Sequence, residues 1–212
     1  MPDLFLEERR HIILSPGAIL LGGFALNDAE KLLVQIDHLA TFSPFRHMIT
    51  PGGKIMSVAM LSSGTLGWVS DQKGYHYTHT DPKTGKSWPP LPPEFLALAQ
   101  NAARSAGYHD FKPDSCLVNR YVPGARLTLH QDKDERDQTA PIVSVSLGLA
   151  AYFLWGGLQR HEHIKRHKLF HGDVVVWGGH SRLAFHGIAP LEEEIHPLTG
   201  SIRYNLTFRK SG

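Results

Sequence analysis

Apolar residues change their spacing along the chain, and each change marks a different kind of element. Leu32, Leu33, Ile36, Leu39 and Ala40 recur at helical spacing, which predicts an amphipathic helix lying on a sheet. Asn27-Asp28-Ala29-Glu30 ahead of it reads as a capping box with Asn27 as N-cap. Residues 93–106 predict a second helix, with proline at its start, Leu96, Ala99 and Ala103 along one side, and Gly107 just past its end. The uncharged run 12–27 predicts two short strands turning at Ser15-Pro16-Gly17. After Pro113, short apolar runs alternate with turn residues. Strands are expected at 115–121, 126–131, 142–148, 152–155, 167–170, 174–177, 184–187 and 202–209. Many short strands at this spacing indicate a sandwich or jelly roll.

Residues 43–93 break the rhythm. They hold Pro51-Gly52-Gly53, Gly64, Gly67, Gly74, Gly85 and Pro89-Pro90, with Trp68, Tyr75, Tyr77 and Trp88 among them. Aromatic side chains in a Gly/Pro-rich stretch suggest a binding flap, although short hairpins that merely cover the core look the same. No repeat or linker is evident, so residues 1–212 are expected to form one domain, with a lid over about 43–93 and a β core over about 113–212.

Composition narrows the class without naming a function. A chain of 212 residues with 42% hydrophobic and 20% charged content is that of a soluble globular protein with a sizeable core. A net charge of +2 permits contact with nucleic acid without arguing for it. One cysteine, Cys116, excludes an internal disulfide and fits a reducing cytoplasm. The run 12–27 is too short and too interrupted to span a membrane, and the charges before it, Glu7 to Arg10, include acids, unlike the start of a secretion signal.

Candidate chemistry begins at Leu127-Thr128-Leu129-His130-Gln131-Asp132. Alternation along a strand puts His130 and Asp132 on one face, a pairing that suits ferrous iron held by two histidines and a carboxylate. The spacing is weak by itself, because the chain has 14 histidines and His79-Thr80-Asp81 repeats it. Among downstream histidines, His171 precedes Gly-Asp and reads as a turn, His180 and His196 fall in loops, and His161, His163 and His167 lie in a charged segment. His186 ends the apolar run Leu183-Ala184-Phe185 and is the expected third ligand. The last strand, Arg203-Tyr204-Asn205-Leu206-Thr207-Phe208-Arg209, has an apolar back and a front carrying two arginines. Arginine grips carboxylates through a two-pronged fork, which suits a dicarboxylate ligand.

Together these residues resemble the AlkB family of Fe(II)/2-oxoglutarate-dependent nucleic-acid dioxygenases. Further matching text is Asn119-Arg120-Tyr121, Leu129 to Glu135, Pro141 to Gly148, His171 to Gly179, Thr50-Pro51-Gly52-Gly53 and Met56 to Met60. The resemblance covers nearly the whole chain and is weakest before Gly22 and between His161 and His167. It implies a mainly β fold with flanking helices, a double-stranded β-helix under a nucleotide-recognition lid. It implies Fe(II) on His130, Asp132 and His186, with O2 as oxidant. It implies 2-oxoglutarate held by Arg209 at the distal carboxylate, with Asn119, Tyr121, Arg203 and Asn205 around it. It puts Trp68, Tyr75, Tyr77, Asp134 and Arg160 at a flipped nucleotide, and His79-Thr80-Asp81 in the lid. Lys54 and His76 depart from the family's flap text.

The implied reaction is oxidative demethylation of 1-methyladenine and 3-methylcytosine in DNA, with RNA as a further substrate, direct reversal of DNA damage by a cytoplasmic monomer. 2-Oxoglutarate becomes succinate and CO2, and the N-methyl group leaves as formaldehyde. Base flipping fits, since the target atoms lie on the pairing edge. Two alternatives stand beside it: a 2-oxoglutarate-dependent hydroxylase of a protein or small molecule, and a jelly-roll binding module without metal.

Overall fold

The computed structural model describes residues 11–212; Glu7 to Arg10 lie outside them. Fourteen strands follow in order among these residues: β1 (Ile12–Ser15), β2 (Ala18–Leu21), β3 (Arg46–Ile49), β4 (Ile55–Gly64), β5 (Gly67–Asp71), β6 (Gly74–Thr78), β7 (Ser115–Tyr121), β8 (Leu127–His130), β9 (Ile142–Gly148), β10 (Ala151–Trp155), β11 (Lys165–Leu169), β12 (Val174–Trp177), β13 (His186–Ile188) and β14 (Arg203–Arg209). Helix α1 spans Ala29–Phe42 and α2 spans Pro93–Ser105.

The two-residue period of the strands sorts side chains into two cores. Val174 and Val176 on β12 join Leu206 and Phe208 on β14 beneath Leu32 and Ile36 of α1 and Phe95 and Leu98 of α2. The intervening residues Val175 and Trp177 face the other way, toward Phe153 and Trp155 of β10. Helices therefore cover one face of a large antiparallel sheet, ordered β1-β2-β12-β9-β14-β7-β4-β3, and a small sheet, β11-β10-β13-β8, covers the other. Two antiparallel sheets packed face to face in this way form a jelly roll.

Several elements depart from the sequence reading for identifiable reasons. Helix α1 has no side-chain cap, and Asp28, not Asn27, stands at its N-cap. The preceding chain is instead wound into a 3-10 turn, Leu26–Asp28, by backbone bonds from Leu26 N–H to Gly23 and from Asp28 N–H to Ala25. Ala25 N–H bonds the carbonyl of Gly172, whose positive φ of 83° and contact with Leu26 leave no room for a side chain. The buried side of α2 is Phe95, Leu98, Ala99, Ala102 and Ala103, with Leu96 only half-buried. β13 starts at His186, not Ala184, because Ala184 N–H closes a turn onto Ser181. β11 begins two residues earlier than expected, at Lys165.

Within residues 43–93, β3 and β4 complete the large sheet, while β5 and β6 form a separate hairpin. The hairpin rests on the body through buried Val69, through Ser70 Oγ donating to the Ile49 carbonyl (2.7 Å), and through Trp88 Nε1 donating to the Thr78 carbonyl (2.8 Å).

Candidate active site

β8 ends on His130 and β13 begins on His186, and the two residues face each other across the small sheet. The strands come this close because Gly187 has no Cβ; one there would stand 2.7 Å from the Leu127 carbonyl oxygen. Each imidazole turns Nδ1 toward a carbonyl two residues back, His130 to Thr128 at 2.8 Å and His186 to Ala184 at 3.0 Å. A nitrogen facing a carbonyl carries the proton, so in the neutral ring it is Nε2 that holds the lone pair. Those Nε2 atoms stand 3.7 and 3.8 Å from the two Asp132 oxygens. All the ligand atoms lie within 4.8 Å of one another. Two neutral imidazoles and one carboxylate, with no thiolate, fit a ferrous ion with positions left open.

Asp132 does not reach this point by strand alternation, because β8 stops at His130. Arg209 holds it instead: Nε and Nη2 both donate to Oδ2, at 3.0 and 2.8 Å, and leave Oδ1 for a metal. Arg182 Nη1 donates to the Asp132 carbonyl at 2.6 Å. Burial alone would raise the Asp132 carboxyl, but Arg209 first, then His186 and His130, hold it far below the usual range. Burial, then the neighbouring His130, lowers His186 to about 4, so its ring is neutral at physiological pH. Arg209 thus meets Asp132 at the metal end of β14 through Nε and Nη2.

The other end of β14 is differently equipped. Arg203 is fully buried, with one donor on Ser146 Oγ at 3.0 Å and with Nε and Nη1 lacking any partner among the described residues. Its guanidinium lies 4.9 Å over the Tyr121 ring, and Tyr121 OH and Asn119 Oδ1 are also unpartnered. Burial pushes the Tyr121 phenol up to about 12, so it stays a neutral donor. Asn205 is fixed by Ser144, the Val145 carbonyl, Asn119 and Thr207. Buried polar atoms without partners cost about 1–3 kcal/mol each, and a cluster of them, rich in donors, fits an anionic ligand.

One cavity of about 590 Å³ connects these parts. Its walls include His130, Asp132 and His186, then Asn119, Tyr121, Asn205 and Arg209, and at its mouth Trp68, Tyr75, Asp134 and Arg160. Trp68 and Tyr75 lie stacked, 5.6 Å apart and 11° from parallel. Trp68 Nε1 donates to Asp134 Oδ2 at 3.0 Å. Tyr77, the cross-strand partner of Trp68, is absent from the wall and donates instead to Glu135 Oε1 at 2.7 Å. Arg203 lies behind Tyr121, also off the wall.

Glu135 and Arg182 escaped the sequence reading. Glu135 is buried and accepts from Tyr77 and from Arg182 (3.1 Å), with Arg209 Nε at 3.3 Å. Nothing in Asp134-Glu135-Arg136-Asp137 distinguishes a buried acid from a solvated one; Arg182, a lone charge beside Leu183-Ala184-Phe185, was the available hint. His79 and Asp81 stay away from the metal group: His79 Nδ1 is near the Thr65 carbonyl, and Asp81 is bound by Arg46.

A family model described as the 2OG-Fe(II) oxygenase superfamily matches residues 17–209. The chain is 57% identical to the alpha-ketoglutarate-dependent dioxygenase AlkB of Escherichia coli strain K12, over 100% of this chain and 99% of that one. The chain belongs to the AlkB dioxygenases of the 2OG-Fe(II) oxygenase superfamily. An AlkB homolog from Caulobacter vibrioides is 42% identical over 92% of this chain and 88% of its own. The solved structure of OsALKBH1 superposes with a TM-score of 0.85 at 29% identity, over 95% of this chain and all of that one. The double-stranded β-helix of this dioxygenase is thus the family's, and its cofactors are Fe(II), 2-oxoglutarate and O2. Among the described residues of the dioxygenase, no helix is long and apolar enough to cross a membrane.

Proposed function

We propose that this dioxygenase removes N-methyl groups from damaged bases, 1-methyladenine and 3-methylcytosine, in DNA and also in RNA, working as a cytoplasmic monomer. The observation that carries the reading is the single cavity running from His130, Asp132 and His186 to the stacked pair Trp68 and Tyr75. Several relatives are named as nucleic-acid enzymes, among them the nucleic acid dioxygenase ALKBH1 of Homo sapiens, 34% identical over 58% of this chain. Cys116, buried and single, suits a reducing compartment.

In this reading His130 and His186 present Nε2 and Asp132 presents Oδ1 to the iron. Bound there with 2-oxoglutarate and O2, the iron supplies the oxidation of the methyl C–H bond, coupled to decarboxylation of the keto acid. Arg209 keeps Asp132 ionised and oriented. Arg203, with Tyr121, takes the distal carboxylate, because its free donors match what a carboxylate needs. Asn119 and Asn205 line the path between. Leu117, Phe153 and Trp177 keep water from the centre. The β5–β6 hairpin and the turn at Thr50 form the lid, and residues 113–212 the catalytic core. Trp68 and Tyr75 stack on the flipped base, and a carboxylate at Asp134 favours a base that methylation has made cationic. Arg160 meets the phosphate at the mouth, and Tyr77 sets the hairpin at its working height.

The test is formaldehyde and restored base, measured together across methylated DNA and RNA oligonucleotides with 2-oxoglutarate present. Succinate formed in step with restored base supports the reading. Succinate formed at an unchanged, uncoupled rate with every oligonucleotide would favour a protein or small-molecule substrate.

A further inference from the structure

The outer face of the small sheet concentrates the chain's positive charge. From Ala151 to Gly172 there are four fixed cations, Arg160, Lys165, Arg166 and Lys168, against one acid, Glu162. That excess is larger than the net +2 of the whole chain. Glu162 is also occupied, accepting from Gln159 N–H at 2.6 Å. Strand alternation decides which cations share a face. Phe153 and Trp155 on β10 point into the core, so Tyr152 and Leu154 point outward, and their β11 partners, Lys168 and Arg166, point outward with them. Both cations are exposed, and neither is ion-paired to an acid of the described residues.

The cations lie over rings. Arg166 is 4.5 Å over Tyr152, and Lys168 Nζ is 5.8 Å from both Tyr152 and Phe170, whose exposure is 42%. Arg160 repeats the arrangement 5.0 Å over Phe185, and both of those residues line the catalytic cavity. The cavity lies on the inner side of the same small sheet and this face on the outer side, with Arg160, on the loop between β10 and β11, at the mouth between them. Gly187 in the cavity wall pairs with Leu154, which pairs with Arg166, so the charged face begins two strand spacings, about 4.8 Å each, from that wall. Cations laid over flat rings suit a single-stranded nucleic acid, whose phosphates meet the charge and whose bases stack on the outer faces of the arginine planes that the rings hold in place.

We propose that Arg166, Lys168 and Tyr152 form a second nucleic-acid contact, which holds the strand flanking the flipped nucleotide as it leaves the mouth past Arg160. This rests on the proposed function and extends it beyond the pocket. It makes substrate length matter. A trinucleotide with a central 3-methylcytosine fills the pocket without reaching β11, whereas an oligonucleotide of about 15 residues, near the upper end of single-strand site sizes, reaches it.

The test compares wild type with the exposed double variant Arg166→Gln/Lys168→Gln on both substrates across a salt series. Expected is an unchanged trinucleotide repair rate, a KM for the long substrate raised several-fold at low salt, and a log–log salt slope for long-substrate binding reduced by about 1.4, two single-strand phosphate contacts' worth. An equal loss on both lengths overturns the proposal, because the change then acts through the pocket or the fold. An unchanged slope and KM on the long substrate also overturns it, and leaves the face to an acidic protein. Wild type that repairs neither length while still turning over 2-oxoglutarate overturns the demethylase reading itself, and this proposal with it.

Discussion

The inner face of β14 and the β5–β6 hairpin bound the same cavity, yet they are built on opposite terms. On β14, Arg203, Asn205, Thr207 and Arg209 are all buried, and the strand is bonded on both sides, to β7 and β9. The hairpin is two strands wide, leaves Tyr75 46% exposed, and reaches the metal side through two hydrogen bonds, Trp68 to Asp134 and Tyr77 to Glu135. A cosubstrate that is the same in every turnover rewards a site whose ordering cost is met during folding. A substrate that arrives as a base on a long polymer needs a wall that opens at small cost, and sparsely tied segments supply that. Rigid chemistry and yielding recognition are thereby separated along one cavity.

The largest expected effects lie on the rigid side. His130→Ala, Asp132→Ala and His186→Ala should each reduce 2-oxoglutarate turnover to background, with Fe(II) binding lost or weakened in a direct titration. Retained turnover in His186→Ala would break the triad. Next is the division of labour along β14. If Arg203 takes the distal carboxylate as proposed, Arg203→Lys loses that fork and should weaken 2-oxoglutarate binding by about 1.5–3 kcal/mol, roughly tenfold to over a hundredfold. Arg209→Lys should show its main effect on iron affinity, because Arg209 grips Asp132. The reverse pattern of binding constants would restore Arg209 to the distal carboxylate.

How far these roles could be read from sequence follows from the same contrast. Period two on β14 gave the faces correctly, because a strand paired on both sides keeps strict alternation. The His130–Asp132 relation was correct in outcome and wrong in cause: the strand ends between them, and a guanidinium from a strand 77 positions away does the placing. The Arg203–Arg209 assignment turns on which acid lies near which arginine, and spacing within one strand carries no information about that. Glu135 illustrates the general limit. Its neighbours Asp134 and Arg136 are exposed, and only the arrival of Tyr77, Arg182 and Arg209 makes it a buried hub.

The yielding side has a foot on the body that pH should loosen. Arg46 Nη1 lies 2.8 Å from both Asp81 oxygens, and Lys83 N–H donates to Oδ1 at 2.9 Å. Burial would raise the Asp81 carboxyl, but Arg46 and the Lys83 amide outweigh it and hold it below its ordinary value near 3.8. A group depressed in the folded state stabilises fully above its unfolded value and loses that contribution as pH falls through the folded one. Asp81→Asn should therefore cost about 1.5 kcal/mol of stability at pH 7. The gap from wild type should close as pH drops below about 4. A gap in Tm that stays constant from pH 7 to pH 3 would show the pair contributes nothing.

Recognition should yield a smaller number. Asp134 is exposed, one oxygen on the Trp68 indole, so its attraction for a cationic base is well screened. Two charges 4 Å apart near a surface interact by up to about 4 kcal/mol, and discrimination of about tenfold uses roughly a third of that. Asp134→Asn should lower the ratio of repair rates on 1-methyladenine and 1-methylguanine by about that factor while leaving 2-oxoglutarate binding intact. An unchanged ratio would make Asp134 only a support for Trp68.

The smallest expected effect tests the tie between the two regions. Tyr77 Oη donates to Glu135, which shares Arg209 with Asp132, so one hydroxyl links the hairpin to the metal ligand. Burial first, and the nearby Glu135 after the opposing effect of Arg209, push the phenol far above its ordinary value, so Tyr77 is a neutral donor throughout the physiological range. Tyr77→Phe removes that bond and keeps the ring, and Glu135 still pairs with Arg182. The net loss of one hydrogen bond is about 0.5–1.5 kcal/mol. If the bond only sets the height of the hairpin, KM for a methylated oligonucleotide should rise about fivefold, the kinetic equivalent of about 1 kcal/mol, with affinity for 2-oxoglutarate unchanged. If the bond also transmits hairpin position to Asp132, 2-oxoglutarate-dependent turnover without any nucleic acid should change as well. The first result keeps the two regions mechanically separate; the second joins them.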